Sequence, residues 1–63
     1  MDIAEELRLK RVIKNLTQRA VAHEAGVCYS VLSDYERGKR VPRPEVADRI
    51  LTAIAHLSKE VEL

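Results

Sequence analysis

Residues 16–42, with the sequence LTQRAVAHEAGVCYSVLSDYERGKRVP, constrain the fold of this chain more than any other feature. Two short helical patterns lie in this stretch, and the turn that joins them contains Gly26, at a point where a left-handed backbone is required. The first pattern follows Thr17, a good N-cap residue, and the second ends before Gly38, a residue type that commonly terminates helices. The spacing therefore predicts two helices, over about 18–25 and 29–37, with a tight turn between them.

A first helix is predicted at the start of the chain. Asp2 and Glu5 have the spacing of a capping box, so the helix begins there and runs to about residue 14. Asn15 is a plausible end point because asparagine tolerates the left-handed conformation better than most residues. The candidate core residues of this helix are Ile3, Leu7 and Ile13.

A fourth helix is predicted over about 44–56. Pro44 suits the first position of a helix, and an apolar stripe with helical spacing follows it, namely Val46, Ile50, Ala53, Ile54 and Leu57. Residues 38–43 form an extended basic loop before this helix, since Pro42 and Pro44 disfavour helical geometry in the residues that precede them. The tail, residues 58–63, either extends the fourth helix or forms a short fifth helix.

Size and composition limit the fold to one small helical domain. A chain of 63 residues has room for one core, and its apolar residues are mainly Ala, Val, Ile and Leu. The single cysteine, Cys28, excludes an intrachain disulfide, and the spacing of a four-ligand zinc site is absent. We therefore expect residues 1–63 to form one all-α domain, a bundle of four or five helices. With no apolar run of about 18 residues and no signal-peptide pattern, we expect a cytoplasmic protein.

Charge is distributed unevenly along the chain. Residues 8–43 carry nine basic and three acidic side chains, a net charge of +6, whereas the remaining residues carry two basic and seven acidic ones, a net charge of −5. A basic centre between acidic ends suits a molecule with one face for phosphate. Charge alone is equally typical of an ordinary solvated surface.

The chain resembles the Cro/cI-type (XRE) helix-turn-helix family over roughly residues 7–57. The signature residues are Leu16, Thr17, Gln18, Ala22, Gly26, Val27, Leu32, Glu36, Gly38 and Pro42. The resemblance implies a lambda-repressor-like bundle of four or five helices that binds operator DNA as a dimer, with the helix over 29–37 in the major groove. Without room for a second domain, the chain is most similar to the short Cro-like regulators of phages and bacteria.

By this resemblance, the residues that contact bases lie at the start and on one outward face of the third helix. They are Cys28, Tyr29, Ser30, Ser33 and Asp34. Asp34 is an unusual residue to find near DNA, but its carboxylate can accept a hydrogen bond from cytosine N4, so we expect a C·G requirement opposite it. Cys28 stands where the family usually has a capping Ser or Thr. It is either a tolerated small substitution or a redox-sensitive thiol at a helix start.

Phosphate contacts are expected from the start of the second helix and from the basic loop. The residues that match the family's positions are Thr17, Gln18, Arg37, Lys39, Arg40 and Arg43. Ordinary solvated charge is the alternative interpretation of the loop. The resemblance also implies an ion pair between Arg11 and Glu36 that ties the first helix to the third.

The expected function is a dimeric repressor whose partner is a double-stranded DNA operator. Leu57, Val61 and Leu63 are the candidate dimer interface. One alternative is an antirepressor or co-repressor that binds a larger helix-turn-helix repressor protein, and another is an antitoxin. No catalytic motif is present, and His23 and His56 lack the clustered partners of a metal site or a general base, so we expect neither an enzyme nor a metal or other cofactor.

Overall fold

The computed structural model describes residues 2–58 and shows four α-helices, with no β-strand in that range. The helices are α1 (Ile3–Ile13), α2 (Gln18–Ala25), α3 (Tyr29–Arg37) and α4 (Pro44–Ser58). The all-α class is therefore confirmed. The expected fifth helix lies outside the described residues, and α4 runs two residues further than the sequence indicated.

Local capping sets the starts of the first two helices. The Asp2 side chain accepts a hydrogen bond from the backbone N–H of Glu5 at 3.0 Å, and Thr17 Oγ1 accepts one from the N–H of Ala20 at 3.0 Å. Each bond satisfies one of the N–H groups that a helix start leaves without an intrahelical partner. Asn15 has a φ of 60°, so the left-handed residue predicted after α1 is confirmed.

Two glycines end α2 and α3 in the same way. Gly26 and Gly38 adopt φ values of 74° and 80°, in the left-handed region that other residues enter at a cost. In each case the next residue donates back into the helix, Val27 N–H to Ala22 O at 3.0 Å and Lys39 N–H to Asp34 O at 2.9 Å. This is the Schellman arrangement, and it sets the direction in which the chain leaves each helix.

The core lies where the four helices meet. Its fully buried side chains are Leu7, Val21, Leu32 and Ile50, and four further buried residues complete it, namely Ala22, Ala25, Ala53 and Ile54. α2 packs against α4, and α1 packs against both α3 and α4. The alanines on α2 and α4 let these two helices approach closely. α2 also packs against α3, so it lies between α3 and α4 in the contacts that it makes.

The prediction that Ile13 belongs to the core is wrong, since its side chain is 72% exposed. Leu7 is fully buried, and Ile13 follows it by six residues. At about 100° per residue, this spacing places Ile13 roughly 120° away from Leu7 around the helix. Ile3 and Leu16 pack against the core as expected.

Arg49 connects α4 to the end of α2. Its guanidinium donates to the carbonyl oxygen of Ala25 from both Nε at 3.3 Å and Nη2 at 3.1 Å. That carbonyl is among the last of α2 and has no intrahelical partner, so Arg49 acts as a side-chain cap. The turn between α2 and α3 is consequently held from the side of α4.

Candidate nucleic-acid interface

The start of α3 is open to solvent and lacks a side-chain cap. Cys28 occupies the N-cap position, and its side chain makes no capping hydrogen bond. The first backbone bond of this helix joins Leu32 N–H to Cys28 O, so within residues 2–58 the N–H groups before it have no acceptor. Tyr29 and Ser30 are exposed, with Tyr29 at 45%. This end of α3 therefore presents free donors and polar side chains together.

Further along α3, Asp34 is paired with the basic loop. Arg40 Nε lies 3.3 Å from Asp34 Oδ2, and the backbone carbonyl of Asp34 accepts from the N–H groups of Lys39 and Arg40. Ser33 and Asp34 are both half-buried. Asp34 and Arg40 therefore lie against each other, although the sequence predicted base contact for the first and phosphate contact for the second.

The basic loop itself lies on the surface beside the end of α3. The four cationic residues expected to contact phosphate are all exposed, namely Arg37, Lys39, Arg40 and Arg43. The loop is anchored by the hydrogen bonds that follow Gly38 and by the buried ring of Pro42. Val41, between them, is exposed. The loop is therefore held to the body of the protein while its charges face solvent.

A buried carboxylate joins three helices behind this surface. Glu36, on α3, is only 3% exposed, and Arg11, on α1, donates to both of its oxygens, from Nε at 2.8 Å and from Nη2 at 3.0 Å. Gln18, at the start of α2, donates to Glu36 Oε1 from Nε2 at 2.9 Å. Arg11 Nη1 also donates to the carbonyl oxygen of Leu16 at 2.7 Å. A buried charge is tolerated only when it is paired and hydrogen-bonded, and here both conditions are met.

Gln18 and Thr17 already make hydrogen bonds within the protein, which limits how their side chains can bind a phosphate. The sequence suggested that the Gln18 side chain holds a phosphate, but one of its amide protons already binds Glu36. Thr17 Oγ1 is occupied as an acceptor by the N–H of Ala20, which leaves its hydroxyl proton to donate. Within the described residues, the backbone N–H groups of Gln18 and Arg19 have no acceptor because they open the helix.

Arg19 and Tyr29 are in contact, although the pattern of residues did not predict this pairing. The guanidinium carbon of Arg19 lies 4.7 Å from the centre of the Tyr29 ring. Both residues border an open surface cavity of about 370 Å³ whose other lining residues are Arg11, Thr17 and Gln18. Arg19 lies in the first turn of α2 and Tyr29 begins α3, so the contact depends on the angle between these helices. No spacing rule within one helix would have indicated it.

A separate apolar surface lies on the outer side of α1. Leu9, Val12 and Ile13 are all exposed, with Val12 at 51% and Ile13 as given above. Leu9 and Ile13 line a groove of about 450 Å³ together with Glu6 and Lys10. We call Leu9, Val12 and Ile13 the α1 stripe. Their positions face away from the core.

Of the three candidate dimer-interface residues, the structure describes one. Leu57 is half-buried against the protein's own core, while Val61 and Leu63 lie outside the described residues.

His56 Nδ1 lies 2.7 Å from a carboxylate oxygen of Glu24 on the protein surface. Within residues 2–58, no three His, Cys, Asp or Glu side chains are grouped as metal ligands would be. None of the helices in that range is long and apolar enough to cross a membrane.

Comparison with known proteins gives one positive result. A protein-family model described as "Helix-turn-helix" matches residues 7–58, which is most of the chain and includes all four helices in whole or in part. No curated protein and no solved structure matches the chain.

Proposed function

Since the chain belongs to the Cro/cI-type (XRE) helix-turn-helix family of DNA-binding regulators, we propose that it is a sequence-specific transcriptional repressor. In this proposal, α3 enters the major groove of a double-stranded DNA operator. The first turn of α3 contacts base edges, and the basic loop contacts the sugar-phosphate backbone.

The observation that carries the proposal is the open start of α3, on the same helix that the basic loop follows at its other end. Tyr29 and Ser30 are exposed there, and their hydroxyl groups can both donate and accept hydrogen bonds. Cys28 is exposed too and completes the first turn, while Ser33 follows on the outward face. Free donors at the start of α3, and four exposed cations at its end and in the loop that follows, supply both kinds of contact that a major-groove reader needs.

Asp34 can take part in base contact because Arg40 approaches its Oδ2 and a carboxylate has a second oxygen that can accept a hydrogen bond from the amino group of a cytosine. The ion pair also lowers the repulsion between this carboxylate and DNA phosphates. Asp34→Ala should relax base preference at one position of the site. A variant that keeps its base preference and simply binds more tightly would remove Asp34 from base recognition.

Phosphate contact by the loop predicts a specific salt dependence. Each lost contact should reduce the slope of log affinity against log salt concentration by about 0.9. We expect this change for Lys39→Ala and for Arg40→Ala, with Lys10→Ala on the outer side of α1 as the matched loss of one exposed cation. Slopes equal to that of the unaltered protein in both loop variants would exclude these residues from the interface.

The functional unit of this proposal is a homodimer on a two-fold symmetric site. Two copies would present their α3 helices about 34 Å apart, one turn of DNA. Leu57, Val61 and Leu63 remain the proposed interface, and the half-buried position of Leu57 is compatible with a contribution from its exposed part. Light scattering at micromolar concentration, with and without DNA, tests this arrangement. A monomer under both conditions would contradict it.

Selection of bound duplexes from a random DNA pool tests the main proposal. The purified protein is used at about 150 mM salt, where nonspecific phosphate binding is weakened. We expect enrichment of a two-fold symmetric sequence. Retention without enrichment, or no retention, would contradict sequence-specific DNA binding.

The α1 stripe favours one alternative function, a module that binds a protein. Exposed apolar patches on a small domain are typical of interaction surfaces. In this alternative the chain is an antirepressor or co-repressor that pairs with a larger helix-turn-helix repressor, or an antitoxin that pairs with a toxin. Ile13→Lys should then abolish the partner's binding and leave the chain's own DNA binding unchanged, which distinguishes the two functions.

A further inference from the structure

Arg19 contacts an aromatic ring, whereas Arg11 and Arg40 pair with carboxylates. Its guanidinium lies over the face of the Tyr29 ring at 4.7 Å, and within residues 2–58 no carboxylate pairs with it. A guanidinium within about 6 Å of an aromatic centroid is attracted by the negative face of the ring. The ring therefore restricts the position of Arg19 without neutralising its charge.

The cavity between the two helix starts takes its positive charge from Arg19. Arg11 also lines the cavity, but Glu36 neutralises it through two hydrogen bonds. The remaining lining residues, Thr17 and Gln18, are polar and uncharged. A single unpaired guanidinium beside hydroxyl and amide donors suits an anion with several acceptor oxygens, such as a phosphodiester.

We propose that Tyr29 is a positioning residue, whose ring holds the Arg19 guanidinium at this cavity for contact with a DNA backbone phosphate. One face of the ring is covered by Arg19, so Tyr29 contributes to affinity through that arginine rather than to the choice of base. This inference rests on the proposed DNA-binding function. It adds Arg19 to the phosphate contacts and gives Tyr29 a positioning role in place of the base contact proposed above.

A double-mutant cycle on Arg19 and Tyr29 tests the proposal. The variants are Arg19→Ala, Tyr29→Leu and the two combined, with Tyr29→Phe as the conservative control that keeps the aromatic face. Lys10→Ala serves as the control for loss of one exposed cation elsewhere. Tyr29 is 45% exposed, so these changes leave the core intact, and circular dichroism of each variant verifies the helix content.

Binding is measured by fluorescence anisotropy on the selected duplex and on a scrambled duplex, over a range of salt concentrations. We expect Arg19→Ala to reduce the log–log salt slope by about 0.9. Tyr29→Leu should weaken binding about 2- to 5-fold on both duplexes, and Tyr29→Phe should match the unaltered protein. In the Arg19→Ala background, Tyr29→Leu should have no further effect, because the ring then has no guanidinium to hold.

Three results would overturn the inference while leaving the proposed function in place. They are a Tyr29→Leu effect of equal size with and without Arg19, a change in base preference caused by Tyr29→Leu, and an unchanged salt slope in Arg19→Ala. Failure of the unaltered protein to bind any duplex would instead contradict the proposed function, and with it this inference.

Discussion

Replacing Arg11 with alanine should remove much of the protein's free energy of unfolding. Glu36 is 3% exposed, and two of the three side-chain hydrogen bonds that its carboxylate accepts come from Arg11. Without Arg11, a buried negative charge keeps only the Gln18 amide as a partner, and removing one member of a buried ion pair costs about 3–5 kcal/mol. A domain of 63 residues is stable by only about 3–9 kcal/mol, at roughly 0.05–0.15 kcal/mol per residue.

Urea unfolding followed by circular dichroism measures this loss directly. The matched control is Arg8→Ala, since Arg8 is an exposed arginine on the same helix whose side chain, within residues 2–58, makes one long bond, 3.4 Å, to the Glu36 backbone carbonyl. We expect that control to change the free energy of unfolding by less than about 1 kcal/mol. The double variant Arg11→Met/Glu36→Leu should recover most of the stability, because it removes both charges.

A loss of less than about 1 kcal/mol in the free energy of unfolding of Arg11→Ala would contradict this prediction. That result would mean that water or a rearranged side chain solvates Glu36 without Arg11. A double variant as unstable as Arg11→Ala would also contradict the prediction. The loss of stability would then come from packing of the arginine stem rather than from an unpaired charge.

Three further predictions concern stability. Cys28→Ser supplies the missing cap of α3, so it should stabilise the protein by about 1 kcal/mol and raise its Tm by roughly 4–8 °C, and an unchanged Tm would contradict the capping argument. Ile13→Val should change the free energy of unfolding by less than about 0.5 kcal/mol, whereas Ile50→Val, in the core, should cost about 0.5–1.5 kcal/mol. Equal effects of the two substitutions in urea unfolding would place Ile13 in the core. Gly38→Ala should cost about 1–2 kcal/mol from backbone strain alone, because within residues 2–58 no atom beyond the two chain neighbours lies within 4 Å of the added Cβ. Gly38→Asn should cost less in the same assay.

The sequence was most informative where structure depends on neighbouring residues. The cap at Thr17, the left-handed Asn15 and the helix ends at Gly26 and Gly38 all follow from local chemistry, and the structure has each of them. The error at Ile13 came from counting apolar residues in α1 without following their angles around the helix axis.

The pairings within the candidate site could not be predicted in the same way. Arg19 meets Tyr29, and Arg40 meets Asp34, only because of the angle between α2 and α3 and the path of the loop after Gly38. Each of these four side chains was visible in the sequence as an isolated charge or ring. Whether such a group is free or already engaged depends on side-chain geometry, which residue spacing does not determine.

The two ends of α3 differ in how firmly they are held, and this difference has a consequence for dynamics. The C-terminal half is fixed by Glu36 inside the three-helix network and by the bonds that follow Gly38, so we expect its amide protons to exchange with solvent only when the whole domain opens. Within residues 2–58, the first backbone N–H groups of the helix, after the uncapped Cys28, have no acceptor, so we expect them to exchange faster. A partner at this end would therefore order polar groups that the fold itself leaves without hydrogen bonds.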